Sequence, residues 1–467
     1  MVSTADVRST IKDVLRALAQ RGYHDAESHL TIRLFLFEQL RRRGQPKRPP
    51  LVSAVRYGMG QFAAFLPNVM RLRRSGQMRL VVVPASHRVW RRSQEPGVSK
   101  HADSVARMWV RESDRVLLLE TGLGPASFRS PDDVPVINIS LVVWVLQRIA
   151  AVFTRRQRTL ALAVVDILDQ FDARPTGVSR RQFARRIERH LSRAQWLRRI
   201  YGDFLRFDQC SQLVTVVYYT LDAMAITAAA QRSGCATAEY QHGVQNDHHP
   251  MYALDDMPVD LGVATSLPRE FRVWDDIAYH RAMRWMALFP DAGFRAQVTG
   301  NLWLACLTDG GDGVSGDTDT TRILVALQEW PVTFNMALIP ALSCLDGEIE
   351  VIVRPHPRDG VRIETIRRVF AATSFAGALV VQRPEEEPVE ACLARSSLCI
   401  TGFSTVGIEA LQLGMTCLFT HPNARDGLAD YIDGRRCHYA DTEAGIRTVL
   451  QRWQEATLGG RRARLQA

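Results

Sequence analysis

Residues 396–419 read SSLCITGFSTVGIEALQLGMTCLF, and this stretch decides the fold. The apolar run at 398–401 predicts a buried strand, GFST at 402–405 predicts a tight turn, and 406–413 carries apolar residues at helical spacing. Gly414 is placed to end that helix. A strand, a tight turn and a helix in this order form the βα unit of a parallel sheet, whose turn faces the first backbone N–H groups of the helix.

This turn suits an anionic ligand. Ser404 or Thr405 is a natural N-cap, and its hydroxyl can also contact a phosphate oxygen. Thr405 and Glu409 share a helix face, where a carboxylate is better placed against sugar hydroxyls than against a phosphate. We therefore interpret the stretch as a nucleotide site, with phosphate at the helix start and ribose at Glu409. An ordinary βα turn without a ligand is the alternative that these residues leave open.

Composition indicates a large protein with anionic partners. A chain of 467 residues with 46% hydrophobic content is long enough for two or three domains. The formal net charge is +10, and nearly all the positive charge is arginine. A basic surface suits nucleotides, acidic glycans or anionic lipid. No motif for RNA or DNA binding accompanies this charge, so we expect no nucleic-acid partner.

Cysteines and apolar runs predict a cytoplasmic protein. The eight cysteines are scattered and form no CxxC pair, as is typical of thiols in a reducing compartment. The N-terminus lacks an apolar signal core, and the longest apolar run, 141–153, is broken by Gln147 and Arg148 and is too short to span a bilayer. A dense group of arginines at 180–193 predicts a basic helix. Such helices could rest on an anionic inner-membrane face.

Short apolar runs alternate with helical patterns along the chain. In the first two thirds they predict strands at 79–85, 116–120, 134–139, 212–219, 236–240, 260–264 and 294–299. In the last third they predict strands at 322–327, 349–354, 378–382, 398–401 and 416–420. Helical patterns lie between them, with a closing helix at 443–454. This alternation predicts mostly parallel sheets covered by helices on both faces.

A Gly- and Asp-rich segment divides the chain. TDGGDGVSGDTDTT at 308–321 lacks apolar periodicity and predicts a hinge linker. It separates an acceptor domain at 46–307 from a nucleotide-sugar domain at 322–467, whose last helix is a candidate to pack back on the first. Residues 1–45 have a helical pattern and predict an extension packed on the body. We predict an α/β fold of two doubly wound, Rossmann-like domains facing each other across a cleft, with ligands at the carboxyl ends of strands.

His356 follows a predicted strand in the sequence Arg354-Pro355-His356-Pro357. The two prolines stiffen the backbone around the imidazole, which lowers the entropy lost when it grips a ligand. A nearby phosphate would favour the imidazolium and a charge-assisted hydrogen bond. His356, Arg354 and the helix start at Ser404 could then stabilise a leaving nucleotide without a metal. A structural histidine at a strand end is the alternative.

Gln241-His242-Gly243 follows another predicted strand. His242 is suited to take a proton from an acceptor hydroxyl near neutral pH, and Gly243 permits a close approach of substrate. Glu239 is the rival base, and it lies on the same face of the strand as Gln241. His242 is followed by Asp247, His248 and His249, but their spacing fits no standard zinc pattern, so we expect no metal.

Thr299-Gly300-Asn301 follows the last strand before the linker. Its position at the end of a strand suits contact with the nucleotide or its sugar. A simple strand-to-helix turn is the alternative that the sequence leaves open.

The order of QHG, VTGN, RPHP and GFST, followed by EAL and LG, resembles bacterial GT-B-fold glycosyltransferases that build capsules and other surface polysaccharides. His356-Pro357 and Ser404-Thr405 are similar to the HP and S-S/T motifs that hold the phosphate of a CMP-sugar in bacterial sialyltransferases and related Kdo transferases. QHG with RPHP also resembles the CDP-glycerol glycerophosphotransferases. The resemblance covers roughly residues 237–419.

The sequence departs from these families at two points. The acidic D/E-D/E-G motif that supplies the base in sialyltransferases is not evident, and EYQHG at 239–243 occupies the comparable region. VTGN and EA…LG also occur in UDP-N-acetylglucosamine 2-epimerases of the same fold, but the GTRPE-like N-terminal stretch of those enzymes is not found here.

The resemblance implies an inverting, metal-independent glycosyltransferase that needs no cofactor. It would move a sugar from a nucleotide-sugar, with a CMP-sugar favoured, to a glycan or lipid-linked acceptor in bacterial surface polysaccharide synthesis. His242 or Glu239 would be the base, and His242 and His356 would meet at one sugar–phosphate bond. The residues expected to bind donor phosphate and nucleotide are Arg354, His356, Pro357, Gly402, Ser404, Thr405 and Glu409. Those expected to line the substrate cleft are Gln241, Gly243, Thr299, Gly300 and Asn301.

Three alternatives remain open at this point. The first is an epimerase of the UDP-N-acetylglucosamine 2-epimerase type, which needs no acceptor. The second is a polyol-phosphate transferase with a CDP-activated donor. The third is a non-catalytic partner of a polysaccharide assembly complex, bound through the basic helices.

Overall fold

The computed structural model describes residues 4–41, 78–87, 99–112, 115–122, 134–150, 157–204, 207, 209–309, 321–328, 333–346, 348–356, 363–371, 377–384 and 386–465. The chain divides into two compact units, Met1–Trp303 and Leu304–Ala467, called here the first and second domains. Most of the predicted linker at 308–321 lies outside the described residues, and so does Pro357.

The described part of the first domain contains a seven-stranded parallel sheet. Its strands are β1 (Met78–Pro84), β2 (Val116–Thr121), β3 (Val136–Asn138), β4 (Cys210–Val216), β5 (Ala236–Tyr240), β6 (Glu270–Val273) and β7 (Arg295–Val298). Their spatial order is β3-β2-β1-β4-β5-β6-β7. The strand order reverses direction between β1 and β4, so the sheet is doubly wound and its topological switch point lies there.

Helices cover the first sheet. They span Thr4–Gln20, Ala26–Arg41, Lys100–Arg111, Ser140–Ala150, Arg158–Gln170, Arg180–Phe204, Leu221–Arg232 and Asp276–Met286. The helix Leu302–Asp309 crosses the boundary between the two domains. β1 and β2 are rich in Val and Leu and buried along nearly their whole length, and β4 is buried over its last four residues, which is the pattern of a parallel sheet between two helical layers. Apolar residues of the two N-terminal helices belong to the same core cluster as β1 and β4.

The described part of the second domain contains a six-stranded parallel sheet. Its strands are β8 (Thr321–Ala326), β9 (Ile349–Arg354), β10 (Ala378–Val381), β11 (Leu398–Thr401), β12 (Thr416–Phe419) and β13 (Cys437–Tyr439). Their order, β10-β9-β8-β11-β12-β13, repeats the first six positions of the first sheet, with the switch point between β8 and β11. Its helices span Leu338–Ala341, Ile363–Phe370, Val389–Ala394, Thr405–Gln412, Pro422–Gly427 and Glu443–Leu465.

The two sheets confirm the predicted fold class of two doubly wound, Rossmann-like domains. One predicted strand is wrong, because 260–264 forms a short 3-10 turn at Leu261–Val263 in which the Asp260 carboxylate accepts the N–H of Gly262 at 2.7 Å. The strand lies later, at β6, which the polar residues Glu270 and Arg272 concealed in the sequence. Short strand β13 was also not predicted.

Candidate active site

Aromatic side chains gather where β4 and β5 end in the first domain. Val217 follows β4 with a φ of 71°, a left-handed conformation that β-branched residues rarely adopt. Tyr218 and Tyr219 come next, with ring centroids 5.6 Å apart. His242 lies two residues beyond the end of the neighbouring strand β5. Strained backbone of this kind clusters at functional sites, so this edge of the sheet is a candidate site.

Two tyrosine hydroxyls hold the His242 ring, one at each nitrogen. Tyr219 Oη lies 3.2 Å from Nε2, and Tyr252 Oη lies 3.4 Å from Nδ1. Tyr252 also donates to a carboxylate oxygen of Glu239, so the Tyr252 oxygen can accept the N–H at Nδ1. In that tautomer Nε2 carries the basic lone pair. The chain from Glu239 through Tyr252 therefore orients the imidazole and presents Nε2 as its acceptor nitrogen.

Glu239 is less suited than His242 to accept a substrate proton. It has no exposed surface, whereas the His242 side chain is 12% exposed. Burial raises the pKa of the Glu239 carboxyl well above its usual range, which favours the protonated form. Its nearest carboxylate oxygen is 3.7 Å from His242 Nδ1. The geometry therefore places Glu239 behind the imidazole and leaves the histidine as the group that faces outward.

Two further imidazoles lie beside His242, and the sequence analysis singled out neither. The ring of His87, just after β1, has its centroid 5.5 Å from that of His242. His101, in the first turn of the helix Lys100–Arg111, is 4% exposed. Burial lowers the pKa of the His101 imidazole well below its usual value, so this ring is neutral near pH 7. His87 could have been predicted, because it follows the strand on one side of the switch point.

The Gln241 side chain is buried and bonded within the first domain. It is 1% exposed. Its Oε1 accepts the backbone N–H of Trp274 at 2.7 Å, and its Nε2 donates to the carbonyl of Gly243 at 2.9 Å. These bonds join the ends of β5 and β6. Both ends of the Gln241 amide are therefore used internally, while the adjacent Gly243 is partly exposed. The contact of Gln241 with substrate stays a prediction.

The predicted turn at Thr299, Gly300 and Asn301 is fixed by a tyrosine from β5. Tyr240 Oη donates to the Gly300 carbonyl at 2.9 Å and accepts the Leu302 N–H at 2.7 Å. Gly300 has a φ of 73°, which glycine adopts without strain. Asn301 is 8% exposed, while Thr299 and Gly300 are partly exposed. The turn is thus a rigid strand-to-helix connection beside β5.

The segment that carries Tyr252 is held by the N-terminal helices. The buried guanidinium of Arg33 donates to the carbonyls of Pro250 and Ala253, and its Nη1 lies 2.8 Å from Asp256 Oδ1. Both side chains of this ion pair are at most 2% exposed. A buried ion pair of this kind keeps a loop in one arrangement. The first helices therefore position Tyr252, and through it His242.

In the second domain, the helix Thr405–Gln412 begins as the sequence predicts. Ser404 is its N-cap, and its Oγ accepts the Val406 N–H at 3.3 Å. Gln328, just after β8, accepts the Phe403 N–H at 2.9 Å and so joins the loops on the two sides of the switch point. A Cβ on Gly402 would lie 2.8 Å from the Thr333 carbonyl. Glycine is therefore needed there for close approach of the chain.

The depression at this switch point is small. It lies between the loops that follow β8 and β11 and is lined in part by Gln328, Thr333 and Gly402. Its volume is about 10 Å³, enough for roughly one water. In this conformation it does not enclose a nucleotide base. Ser404 and Thr405 are partly exposed beside it.

The other predicted nucleotide-binding residues differ in exposure. His356 is partly exposed after β9, but Arg354 is 6% exposed and its guanidinium donates to Gln382 Oε1 at 3.1 Å and to the Pro384 carbonyl at 2.9 Å. Arg354 therefore holds the segment after β10 and is not directed at a ligand. Glu409 has no exposed surface, so it can reach a ribose only if its covering neighbours move.

Comparisons with known proteins show no family for this chain. No family model matches the sequence, and no curated protein matches it. Similar solved structures include UDP-GlcNAc 2-epimerase from Neisseria meningitidis bound to UDP-GlcNAc, at 11% identity and a TM-score of 0.45 over 81% of this chain and 93% of that one. MurG of Acinetobacter baumannii has 12% identity and a TM-score of 0.42 over 80% and 90%. The wall teichoic acid polymerase TagF has 10% identity and a TM-score of 0.41 over 86% and 91%.

Identities and TM-scores this low say nothing about activity. The fold is read from the two sheets themselves, which are the pair of Rossmann-like domains of a GT-B fold. Within the described residues, no group of three or more His, Cys, Asp and Glu side chains is arranged to hold a metal ion. No helix in the described ranges is both long enough and apolar enough to cross a bilayer.

Proposed function

We propose that the protein is a GT-B-type glycosyltransferase that takes a nucleotide-sugar as donor. His242 is the general base, and the start of the helix Thr405–Gln412 receives the donor phosphate. The observation that carries the proposal is the chain from Glu239 through Tyr252 to His242 at the carboxyl edge of the first sheet. A partly exposed imidazole oriented by a buried carboxyl is the arrangement that activates a hydroxyl nucleophile.

The proposed step uses the lone pair at His242 Nε2. The acceptor hydroxyl takes the place of Tyr219 Oη and gives its proton to Nε2. The acceptor oxygen bonds to the anomeric carbon from the face opposite the nucleotide. The bond between that carbon and the phosphate oxygen breaks, and the nucleotide leaves with the bonding electron pair. Tyr252 stabilises the imidazolium that forms, because its oxygen can accept the N–H at Nδ1 while its own hydroxyl donates to Glu239.

The residues proposed to bind the donor phosphate are Ser404, Thr405 and His356. All three are partly exposed, and Ser404 starts a helix whose dipole favours negative charge. Arg354 is left out of this set because its guanidinium binds internal carbonyls. The motif likeness favours a CMP-sugar as donor and a glycan or lipid-linked acceptor.

Nucleotide binding by the full chain tests whether the protein takes a nucleotide-sugar donor. A thermal-shift panel of CMP, CDP, UDP and GDP should show one nucleotide that raises Tm, because a ligand at 100 times its Kd stabilises the native state by about 2.7 kcal/mol. The binding nucleotide then identifies the sugar donor to be assayed for transfer. No rise in Tm with any of the four nucleotides at millimolar concentration would refute the proposal that the protein binds a nucleotide-sugar donor.

The epimerase alternative is separated by a product assay. UDP-N-acetylglucosamine is incubated with the protein in the absence of any acceptor, and the sugar is followed by NMR. A glycosyltransferase leaves the C2 configuration unchanged, whereas accumulation of the 2-epimer would replace the proposed activity with epimerisation.

A further inference from the structure

The helix Arg180–Phe204 has an apolar side and a strongly basic side. Its apolar residues belong to a core cluster of the first domain and include Phe183, Ile187 and Leu197. Its exposed side carries four arginines, called here the arginine face: Arg181, Arg185, Arg186 and Arg189. The proposed transferase site makes no use of this face.

The charges of the arginine face repel one another. Arg181, Arg185 and Arg189 follow at intervals of four residues, so they are about 6 Å apart along the helix axis. Like charges at this spacing destabilise a helix. Salt screens them only in part, since the Debye length is about 8 Å at physiological ionic strength. An anionic surface opposite the arginine face would relieve this repulsion.

Within the described ranges, no carboxylate forms an ion pair with the arginine face. Neighbouring helices do supply carboxylates to this helix, but to other arginines: Asp166 to Arg180, Asp222 to Arg193 and Glu27 to Arg198. Arg189 Nε donates to the backbone carbonyl of Arg185 at 3.1 Å, and that oxygen carries no net charge. Glu188, on the same helix, is partly exposed and pairs with none of the four arginines. Positive charge therefore prevails on this side of the helix.

An exposed aromatic ring lies near the start of the same helix. Phe171 follows the helix Arg158–Gln170 and is 51% exposed. Arg180 Nη1 lies 3.8 Å from Asp169 Oδ2, so the end of one helix lies beside the start of the other. The neighbouring Asp172 is exposed but is outnumbered by the four arginines. Basic side chains with an aromatic residue beside them are the combination by which peripheral proteins bind a membrane surface.

We propose that the arginine face is a docking surface for an anionic lipid bilayer, with its guanidinium groups on lipid phosphates and Phe171 at the level of the headgroups. The face extends about 12 Å along the helix, and a bilayer presents anionic headgroups along that whole length. Each arginine near such a surface strengthens binding roughly fivefold. This docking does not depend on the proposed transferase activity, because neither nucleotide nor acceptor takes part in it.

Vesicle flotation of the full chain tests the docking surface. We expect the native chain to float with vesicles of equal parts phosphatidylglycerol and phosphatidylcholine, and not with vesicles of phosphatidylcholine alone. Binding should be lost in about 1 M NaCl, where the Debye length falls to about 3 Å. A native chain that binds neither kind of vesicle would overturn the proposal. So would binding that is equal on both kinds and insensitive to salt.

Matched variants locate the surface. A quadruple variant that neutralises the arginine face should bind the anionic vesicles on the order of 10²-fold more weakly or worse: Arg181→Gln, Arg185→Gln, Arg186→Gln and Arg189→Gln. A control variant removes the same charge from exposed positions of the second domain and should bind like the native chain: Arg367→Gln, Arg368→Gln, Arg435→Gln and Arg436→Gln.

Circular dichroism checks that both variants fold. If the quadruple variant does not fold, the double variant Arg181→Gln/Arg185→Gln decides the question, with an expected loss of about 25-fold. Equal losses in the arginine-face variant and its control would mean that net charge alone binds the vesicles, and would contradict the assignment. Binding to alginate, an acidic polysaccharide, without binding to the anionic vesicles would replace the lipid surface with a glycan.

Discussion

Gly407 packs directly against Phe419, because a methyl group on that glycine would lie 2.7 Å from the phenyl ring. The same methyl would lie 2.8 Å from Cys417 Sγ. The helix Thr405–Gln412 therefore packs on β12 more closely than any residue with a side chain at position 407 would allow. Because Ser404 starts this helix, the close packing also fixes the position of the predicted phosphate site.

Gly407→Ala should therefore destabilise the second domain. Inserting a methyl group into a filled core costs about 1–3 kcal/mol, and the ring of Phe419 cannot retreat within the sheet. Urea denaturation followed by circular dichroism measures the loss. Gln412→Ala, on the exposed side of the same helix, is the control and should change stability by no more than about 0.5 kcal/mol.

Ser404→Asp separates the structural role of this residue from ligand binding. Aspartate caps helices as well as serine does, so we expect the Tm of the free protein to stay within a few degrees of the native value. The added negative charge would repel a phosphate, so the Tm rise given by the binding nucleotide should be lost. A variant that still binds the nucleotide with native affinity would show that the phosphate lies elsewhere.

His242→Gln tests the proposed base. We expect kcat/KM for transfer to fall by about 10²–10⁴, the usual contribution of a general base, with little change in nucleotide affinity. Tyr252→Phe removes the hydroxyl between Glu239 and the imidazole and should cause a smaller loss of kcat. Native turnover in His242→Gln, with the fold intact, would exclude this residue as the base.

Glu239→Gln should change how stability depends on pH. The usual pKa of this carboxyl, which applies in the unfolded chain, is about 4.5. Below that pH the carboxyl is protonated in both the folded and the unfolded state, so it does not make stability depend on pH. As pH rises above 4.5 the unfolded chain loses this proton while the folded chain keeps it, since its folded pKa is raised. The free energy of unfolding of the native protein then falls by at most about 1.4 kcal/mol per pH unit until the folded pKa is reached.

The neutral amide removes this loss, so Glu239→Gln should gain stability relative to the native chain as pH rises from 4.5. Denaturant titrations at several pH values measure the difference. Gln170→Ala, at an exposed position in the same domain, removes no ionisable group and should give a profile parallel to the native one. A constant difference between Glu239→Gln and the native chain at all pH values would mean that the folded pKa is not raised.

Arg33→Met should destabilise the first domain strongly. Removing this guanidinium leaves the buried Asp256 carboxylate with Arg8 as its cation, whose Nε lies 3.2 Å from Asp256 Oδ2, and loss of one partner of a buried ion pair costs up to about 3–5 kcal/mol. The double variant with Asp256→Asn should recover part of that loss, because the buried side chain that has lost one of its two guanidinium partners is then neutral. Chemical denaturation of both variants checks this, and equal stability of the single and double variants would contradict it.

The fold could be predicted largely because parallel strands are continuous apolar runs. The bounds of β5 and β9 agree with prediction residue for residue. β6 was not found because Glu270 and Arg272 interrupt its apolar pattern. In the structure Glu270 pairs with Arg272 at 2.6 Å on the same strand and with Arg295 on the neighbouring strand β7. A sequence pattern cannot reveal partners that only pairing of strands brings together.

The candidate site was only partly predictable for a similar reason. His242 could be found because it follows an apolar strand. Its contacts to Tyr219 and Tyr252 depend on the neighbouring strand and on a loop held from the N-terminus. Arg354 was predicted to bind phosphate because its charge is visible in the sequence. The direction of its side chain, toward Pro384, is not visible there.

The contact between Arg33 and the Pro250 carbonyl joins residues 217 positions apart in the chain. During synthesis the first two helices leave the ribosome long before the segment that accepts this guanidinium has been made. Until then the arginine has no native partner, and the apolar faces of these helices have to wait for the helices Arg158–Gln170 and Arg180–Phe204 on which they pack. Exposed apolar surface of this kind is the condition under which nascent chains engage chaperones or aggregate. Efficient production of this protein should therefore depend on what shields the first forty or so residues during that interval.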